Sequence, residues 1–234
     1  MKTTQRDYVE VIYNERDRPL TSYPQKLARH LFERYHLEPG QTMLEPGCGR
    51  GEFLDGFIAC GIRGHGVDRS RAAARYCPRA VLASADVEAD GLPYQENTFD
   101  VIYSKSVIEH FHYPERFVSE IYRVLRPGGL VITLCPDWEF NYRIYFDDYT
   151  HRTPFTQKSL RDIQRIHGFE QVRVERFRQL PILWRWRALV PAAELTRVFV
   201  PNWLKPRSKW VRFSKEIMLL SSARKPLAAR AFSE

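Results

Sequence analysis

The sequence lacks the features that would place it in several broad classes. Its four cysteines, Cys48, Cys60, Cys77 and Cys135, are scattered and form no C-x-x-C pair. That spacing fits neither a zinc ribbon nor a disulfide framework, and it points to a reducing, cytoplasmic setting. No uninterrupted apolar run approaches the ~18 residues that a spanning helix needs. Met1–Asp7 leads into no apolar stretch, so a secretory signal is not expected. There are no internal repeats and no low-complexity tracts. Hydrophobic residues make up 44% of the 234 positions, which supplies a core and excludes wholesale disorder. The length suits one large domain, or one domain with a cap or extension.

The charge is uneven. The chain carries 36 Lys/Arg against 28 Asp/Glu, a net +8. Residues 1–170 hold 22 basic and 24 acidic side chains, net −2; residues 171–234 hold 14 and 4, net +10. Four of the five tryptophans (Trp184, Trp186, Trp203 and Trp210) lie in that last stretch. A near-neutral body is followed by a basic, aromatic end.

The body alternates between two periodicities. Residues 22–36 place Leu27, Leu31, Phe32 and Tyr35 at helical spacing, with Ser22 as N-cap and Pro24 in the first turn. Thr42-Met43-Leu44 reads as a buried strand, residues 51–60 as a helix and Gly64–Val67 as a second strand. A helix follows Asp68 and ends near Tyr76. Strands follow at Ala80–Ala83 and Phe99–Tyr103, a helix at 114–125 and a strand at Leu130–Leu134. Residues 136–155 read as irregular and aromatic. A helix capped by Thr156 runs to His167, and strands are expected at Phe169–Phe177 and 216–223. Such alternation implies βαβ units, a parallel sheet covered on both faces, and ligands at the carboxyl ends of the strands.

Between the first strand and the next helix lies Glu45-Pro46-Gly47-Cys48-Gly49-Arg50-Gly51. Its alternate glycines let the backbone approach a ligand closely, and the helix N-terminus beyond offers free N–H groups. The third glycine comes one residue earlier than in a dinucleotide fingerprint. Asp68 ends the second strand, where an acid reaches ribose hydroxyls in nucleotide-binding βαβ units. Asp86-Val87 follows the third strand. Asn97-Thr98-Phe99-Asp100-Val101-Ile102-Tyr103, Val107-Ile108-Glu109-His110 and Leu125-Arg126-Pro127-Gly128-Gly129-Leu130 come next in order.

This series of motifs resembles the class I S-adenosylmethionine-dependent methyltransferases, especially the broad group that includes the ubiquinone/menaquinone-biosynthesis enzymes. The resemblance is strong over residues 40–135 and weaker to about 178, where Thr150-His151-Arg152-Thr153-Pro154-Phe155-Thr156 and Gly168-Phe169 belong to it. It implies a Rossmann-like, seven-stranded, mostly parallel sheet with helices on both faces and an antiparallel last strand. The expected organisation is an N-terminal helical extension over 1–40, a methyltransferase domain over 41–178, and a basic aromatic cap with the last strand over 179–234. The implied cofactor is S-adenosyl-L-methionine. Gly47, Cys48, Gly49 and Gly51 would line its aminoacyl and ribose part, and Glu45 would fix its amino end. Asp68 would accept both ribose hydroxyls, with Arg69 beside it. Asp86 would accept the adenine amino group, with Val87 against the ring. Ser104 and Lys105 would lie near the methyl.

The acceptor is less legible. Ser104-Lys105-Ser106-Val107 lacks the Asn/Asp-Pro-Pro-aromatic turn of base N-methylating enzymes, and Cys135-Pro136 reverses the Pro-Cys order of pyrimidine C5 methylation. O-methylation of a small molecule, sugar or lipid-linked acceptor is the expected reaction. The alternatives are an RNA-directed methyltransferase and a non-catalytic S-adenosylmethionine-binding protein. His110, His151 and Glu109 are the candidate bases. Tyr145, Tyr149, Arg152 and Trp184 are the candidate acceptor contacts, the first three from an aromatic loop placed to act as a lid. Asp147, Asp148 and His151 have no second cluster at metal-ligand spacing, so no metal is expected. Residues 180–213 interleave tryptophans with Arg and Lys. Besides a plain solvated cap, that pattern fits peripheral contact with an anionic membrane, at the inner membrane face, better than nucleic acid.

Overall fold

The computed structural model describes residues 8–12, 15, 16 and 18–227. The fold is a seven-stranded sheet in the order β3-β2-β1-β4-β5-β7-β6. The chain gathers into two compact units, one within Met1–Tyr103 plus Arg123–Arg126, the other within Ser104–Tyr122 plus Pro127–Glu234.

The first unit holds α1 (Tyr8–Ile12), α2 (Tyr23–Arg34), β1 (Thr42–Pro46), α3 (Glu52–Ile58), β2 (Arg63–Asp68), α4 (Ala73–Tyr76), β3 (Val81–Ser84), α5 (Val87–Asp90) and most of β4 (Phe99–Lys105). β1 pairs in parallel with β2 and β4, and β2 with β3. Met43, Leu44, Val101 and Ile102 are buried on these strands, as expected for short apolar strands covered on both faces. The buried face of α2 is Pro24, Leu27, Ala28 and Leu31, at i, i+3, i+4 and i+7. Gly56 of α3 lets that helix approach closely, since a Cβ there would stand 2.8 Å from Ala28 Cβ. Ser22 does occupy the N-cap of α2, but its side chain makes no capping bond. Its backbone, at ψ 4°, is not in the extended conformation that turns a hydroxyl onto the first free N–H groups. Asp100 ties β4 to β1 by accepting from Thr42 N–H and Thr42 Oγ1, each at 2.7 Å, and from Arg126 at 2.7 Å.

The second unit contains α6 (Pro114–Val124) up to Tyr122, β5 (Leu125–Pro136) from Pro127, α7 (Trp138–Asn141), α8 (Gln157–Ile166), β6 (Glu170–Arg178), α9 (Pro181–Arg185), α10 (Val190–Phe199), α11 (Lys209–Lys215) and β7 (Ile217–Arg224). β7 runs antiparallel to both β5 and β6, as the family resemblance implies for the last strand. Thr156 caps α8 in a capping box with Ser159. The stretch expected to be irregular contains α7 and a 3-10 turn at Tyr145–Asp147. α7 is one turn long and too short to show a period; it is started by Asp137, which accepts from Glu139 N–H at 3.0 Å and is paired with Arg176 at 3.0 Å. The 180–213 segment is helical and has its own small core of Leu180, Leu183 and Ala193, packed by Leu189, Trp210 and Phe213.

Candidate functional site

In the first unit, the turn after β1 has an unusual backbone. Gly47, Gly49 and Gly51 all have positive φ, at 69°, 53° and 75°. Gly47 N–H donates to Val67 O at 2.7 Å and Gly51 N–H to Cys48 O at 2.7 Å, which folds the turn back over the end of β2. At Gly51 the need for glycine is double, because a Cβ would also lie 2.7 Å from Cys77 Cβ. At Gly49 a Cβ would meet no atom within 4 Å, so the turn is closed underneath and open at its middle glycine.

Asp68 organises this turn. It is 4% exposed; Oδ2 accepts from Gly49 N–H at 2.7 Å and Oδ1 from Ser70 N–H at 2.8 Å. The Tyr8 phenol lies 2.8 and 3.0 Å from its two oxygens, in the role a hydroxyl of a bound ribose would take. Glu45 is buried at the end of β1. Cys48 is buried too; desolvation first, then the nearby Glu45 and Asp68 carboxyls, pushes its thiol far up, so it stays neutral. Asp86 is the N-cap of α5, which starts at Val87; it accepts from Glu88 N–H at 3.1 Å and Ala89 N–H at 3.4 Å. Its other oxygen is 3.5 Å from the largely exposed Arg69 guanidinium. The open middle glycine and a hydroxyl already seated on Asp68 fit the nucleoside end of S-adenosylmethionine.

In the second unit, Ser104 is wholly buried with a hydroxyl that has no hydrogen-bond partner among the described residues, and Lys105 Nζ is 3.5 Å from Ser106 Oγ. A 3-10 turn follows at Ile108–His110. The Glu109 carbonyl accepts from both Arg152 N–H (2.8 Å) and Thr153 N–H (3.1 Å). Thr153 Oγ1 donates to Phe111 O at 2.9 Å, and Tyr145 donates its phenol proton to Thr153 O at 2.7 Å. These bonds dock the 145–153 loop on the turn and bring together residues forty apart in sequence. The rings of His110 and His151 meet edge-on at 4.8 Å, and one donor atom from each of Glu109, His110 and His151 lies within 4.8 Å of the others.

The hydrogen-bond network fixes both tautomers. Burial raises the Asp148 pKa, but the side-chain and backbone hydrogen bonds from Thr150, with the electrostatic influence of the two histidines, outweigh it and hold the carboxyl below its ordinary value. Asp148 is therefore an acceptor, and it takes the single Thr150 hydroxyl proton at 2.5 Å. Thr150 Oγ1, 2.9 Å from His110 Nδ1, must then accept from that nitrogen. His151 Nδ1, 2.6 Å from Tyr145 O, must likewise carry a proton. In the neutral imidazoles both Nε2 atoms keep their lone pairs. Burial and the neighbouring His151 push the His110 pKa down, which favours that neutral form. Glu109 is wholly buried, both its carboxyl oxygens lack a hydrogen-bond partner among the described residues, and desolvation pushes its pKa up to about 8.

The candidate acceptor contacts separate. Tyr145 is buried, with its ring 4.5 Å from that of His151. Tyr149 is 75% exposed, and Arg152 is exposed with its guanidinium held by Tyr149 O at 2.6 Å. Trp184 is spent on packing: its Nε1–H donates to Arg178 O at 2.8 Å and its ring stacks on Phe177 at 5.5 Å. Two residues escaped the sequence reading. Tyr8 lies sixty positions from Asp68, and no local pattern announces that contact. Thr150 sits inside the recognised Thr-His-Arg-Thr string, which was its signal.

Comparison with known proteins points to a family. Residues 44–133 match the family described as "Methyltransferase domain". The chain is 31% identical over 153 residues to phosphoethanolamine N-methyltransferase 2 of Caenorhabditis elegans, covering 59% of this chain and 34% of that one. An uncharacterized methyltransferase of Mycolicibacterium vanbaalenii is 32% identical over 105 residues, 43% of this chain and 41% of that one. The chain thus spans well under half the length of these curated relatives. Among solved structures, a SAM-dependent methyltransferase from Archaeoglobus fulgidus shares the fold with a TM-score of 0.65 at 21% identity, over 94% of this chain and all of that one. Phosphoethanolamine N-methyltransferase 2 of Haemonchus contortus, solved with phosphomonomethylethanolamine and S-adenosylhomocysteine, gives 0.62 at 22% identity, over 86% of this chain and 53% of that one. Residues 44–133 are thus similar to a methyltransferase domain, and the fold is shared with S-adenosylmethionine-dependent methyltransferases of known structure. These matches support the class, not the quinone-biosynthesis group within it.

Proposed function

We propose that the protein is a methyltransferase that methylates an oxygen of a small-molecule, sugar or lipid-linked acceptor. S-adenosylmethionine supplies an electrophilic methyl group on a positively charged sulfur. Asp68, Gly47, Gly49, Gly51, Cys48, Glu45, Asp86, Val87 and Arg69 hold it, with Ser104 and Lys105 toward its methyl end. We keep 41–178 as the methyltransferase domain, 1–40 as its N-terminal extension and 179–234 as its cap and last strand.

The observation that carries the oxygen acceptor is the pair of histidines with fixed tautomers. A hydroxyl is a weak nucleophile until its proton is removed. His110 Nε2 and His151 Nε2 are lone-pair acceptors in a largely buried setting, each imidazole held in place through its Nδ1–H. Positioning such a base contributes about 10²–10⁴ in rate. Tyr145 packs against His151, while Tyr149 and Arg152 stand exposed on the loop's outer side, where an acceptor could meet them.

Incubation with methyl-labelled cofactor and acceptor panels tests this. Label in hydroxyl-bearing compounds supports the reading. Label confined to amines supports the second reading, N-methylation, which the phosphoethanolamine N-methyltransferase relatives favour. No label in any acceptor despite cofactor binding marks a non-catalytic binder, and label in RNA marks an RNA-directed enzyme.

The cap favours a membrane-linked acceptor. Leu195, Val198 and Phe199 share one exposed face of α10, and Trp186, Trp203 and Ile182 are exposed as well. Arg185, Arg187, Arg207, Lys209 and Arg212 are exposed among them. Aromatics and aliphatics set among cations suit the headgroup layer of an anionic membrane. No helix among the described residues is long and apolar enough to cross one.

A further inference from the structure

The sequence offers no metal-ligand spacing, but the folded loop assembles one. We propose that Glu109, His110 and His151 form a binding site for a divalent first-row transition metal ion. Three observations carry it. The donor atoms converge, one from each residue within 4.8 Å of the others. The Glu109 carboxyl is wholly buried with neither oxygen hydrogen-bonded. Buried polar atoms are otherwise satisfied almost everywhere in folded proteins, so a doubly orphaned carboxyl marks a missing partner. The two imidazoles are also prepared as ligands, each Nδ1–H donating to a fixed oxygen, Thr150 Oγ1 for His110 and the Tyr145 carbonyl for His151. This is the outer-shell arrangement that orients metal-bound histidines and raises their basicity.

The donor set selects the ion. Two imidazoles and one carboxylate suit Zn²⁺, Co²⁺, Fe²⁺ or Mn²⁺, whereas Mg²⁺ and Ca²⁺ take oxygen sets. Asp148 Oδ2 stands 4.0 Å from His151 Nε2 and adds negative charge nearby. A dication offsets the cost of burying an ionised Glu109, whose oxygens have no hydrogen-bond partner among the described residues. Three protein ligands leave positions open for oxygen donors. An acceptor hydroxyl bound there would lose its proton more readily, the same task a histidine base performs. That catalytic use rests on the oxygen-acceptor reading above; the existence of the site does not.

The test measures metal alone. The chain, stripped with chelator and dialysed, is titrated with ZnCl₂ by calorimetry, and with CoCl₂ by visible absorption, whose d–d bands report the coordination geometry. One tight equivalent per chain is expected, weakened at least tenfold in Glu109→Gln and His151→Asn, and unchanged in His36→Asn, a surface histidine outside the cluster. Circular dichroism and S-adenosylhomocysteine binding verify the fold of each variant. If Glu109→Gln does not fold, His151→Asn carries the test. No binding by the wild-type chain, or binding as strong in a folded His151→Asn or Glu109→Gln variant, overturns the proposal. Metal binding with no methyl transfer to hydroxyls leaves the site standing and removes only its catalytic use.

Discussion

The Tyr8 phenol lies 2.8 and 3.0 Å from the two oxygens of Asp68, the carboxylate proposed above to take a nucleoside ribose. Residue and ligand would make the same bonds, so they compete. A net hydrogen bond is worth about 0.5–1.5 kcal/mol. Tyr8→Phe is therefore expected to tighten S-adenosylhomocysteine binding by roughly two- to tenfold. Weaker binding would show that Tyr8 supports the cofactor instead of standing in for it. Calorimetry on the two proteins decides.

Gly51 combines φ 75° with a Cβ position 2.7 Å from Cys77 Cβ. Gly51→Ala is expected to destabilise the fold by about 1–3 kcal/mol. Gly49→Ala meets no such clash, so urea titration should show a smaller loss of stability there. Its loss of cofactor affinity should be the larger effect.

Asp100 sets a pH dependence of stability. Burial pushes its pKa up, but the Thr42 backbone and hydroxyl bonds and Arg126 outweigh that and leave it below 3.8. A carboxyl with a depressed folded pKa stabilises above its unfolded pKa, and that contribution is lost as pH falls through the folded value. Asp100→Asn is expected to cost about 1–3 kcal/mol at neutral pH. The gap between wild type and variant should narrow as the pH falls below the ordinary carboxylate range.

Thr150 acts on His110 without needing to touch an acceptor. Thr150→Val removes the acceptor of the Nδ1–H bond and frees the tautomer. Nitrogen NMR of labelled histidine should show His110 as a single Nδ1–H form in the wild type and a mixture in the variant. Turnover should fall by about 10–100-fold. An unchanged His110 spectrum would remove Thr150 from this role.

The cap predicts a division of labour among tryptophans. Trp186 and Trp203 are 57% and 64% exposed, whereas Trp184 is stacked and hydrogen-bonded. Changing Trp186 and Trp203 together to Ala should abolish co-sedimentation with anionic liposomes and leave thermal stability nearly intact. Trp184→Ala should lower stability. Co-sedimentation that is absent in the wild type, or indifferent to the double change, contradicts membrane contact.

Much of the fold was legible because its signals are local. Apolar strands alternate with amphipathic helices, and Gly47, Gly49 and Gly51 each hold a positive φ where the motif places them. Thr156 was readable as a cap from its place before a periodic segment. Ser22 was not, because whether a hydroxyl turns inward depends on a backbone angle that residue type does not dictate. The candidate site was legible as residues but not as a cluster. Glu109 and His110 meet His151 through bonds such as those from the Arg152 and Thr153 N–H groups to the Glu109 carbonyl. Such long-range backbone bonds leave no trace in spacing, and the same holds for Tyr8 on Asp68.

The central claim is that this turn and its carboxylate bind S-adenosylmethionine. Calorimetric titration of the wild-type chain and of Asp68→Ala with S-adenosylhomocysteine tests it most directly. Saturable binding at one site per chain is expected, lost or weakened at least a hundredfold in the variant. A folded wild-type chain that releases no heat, or an Asp68→Ala chain that binds equally well, would contradict it.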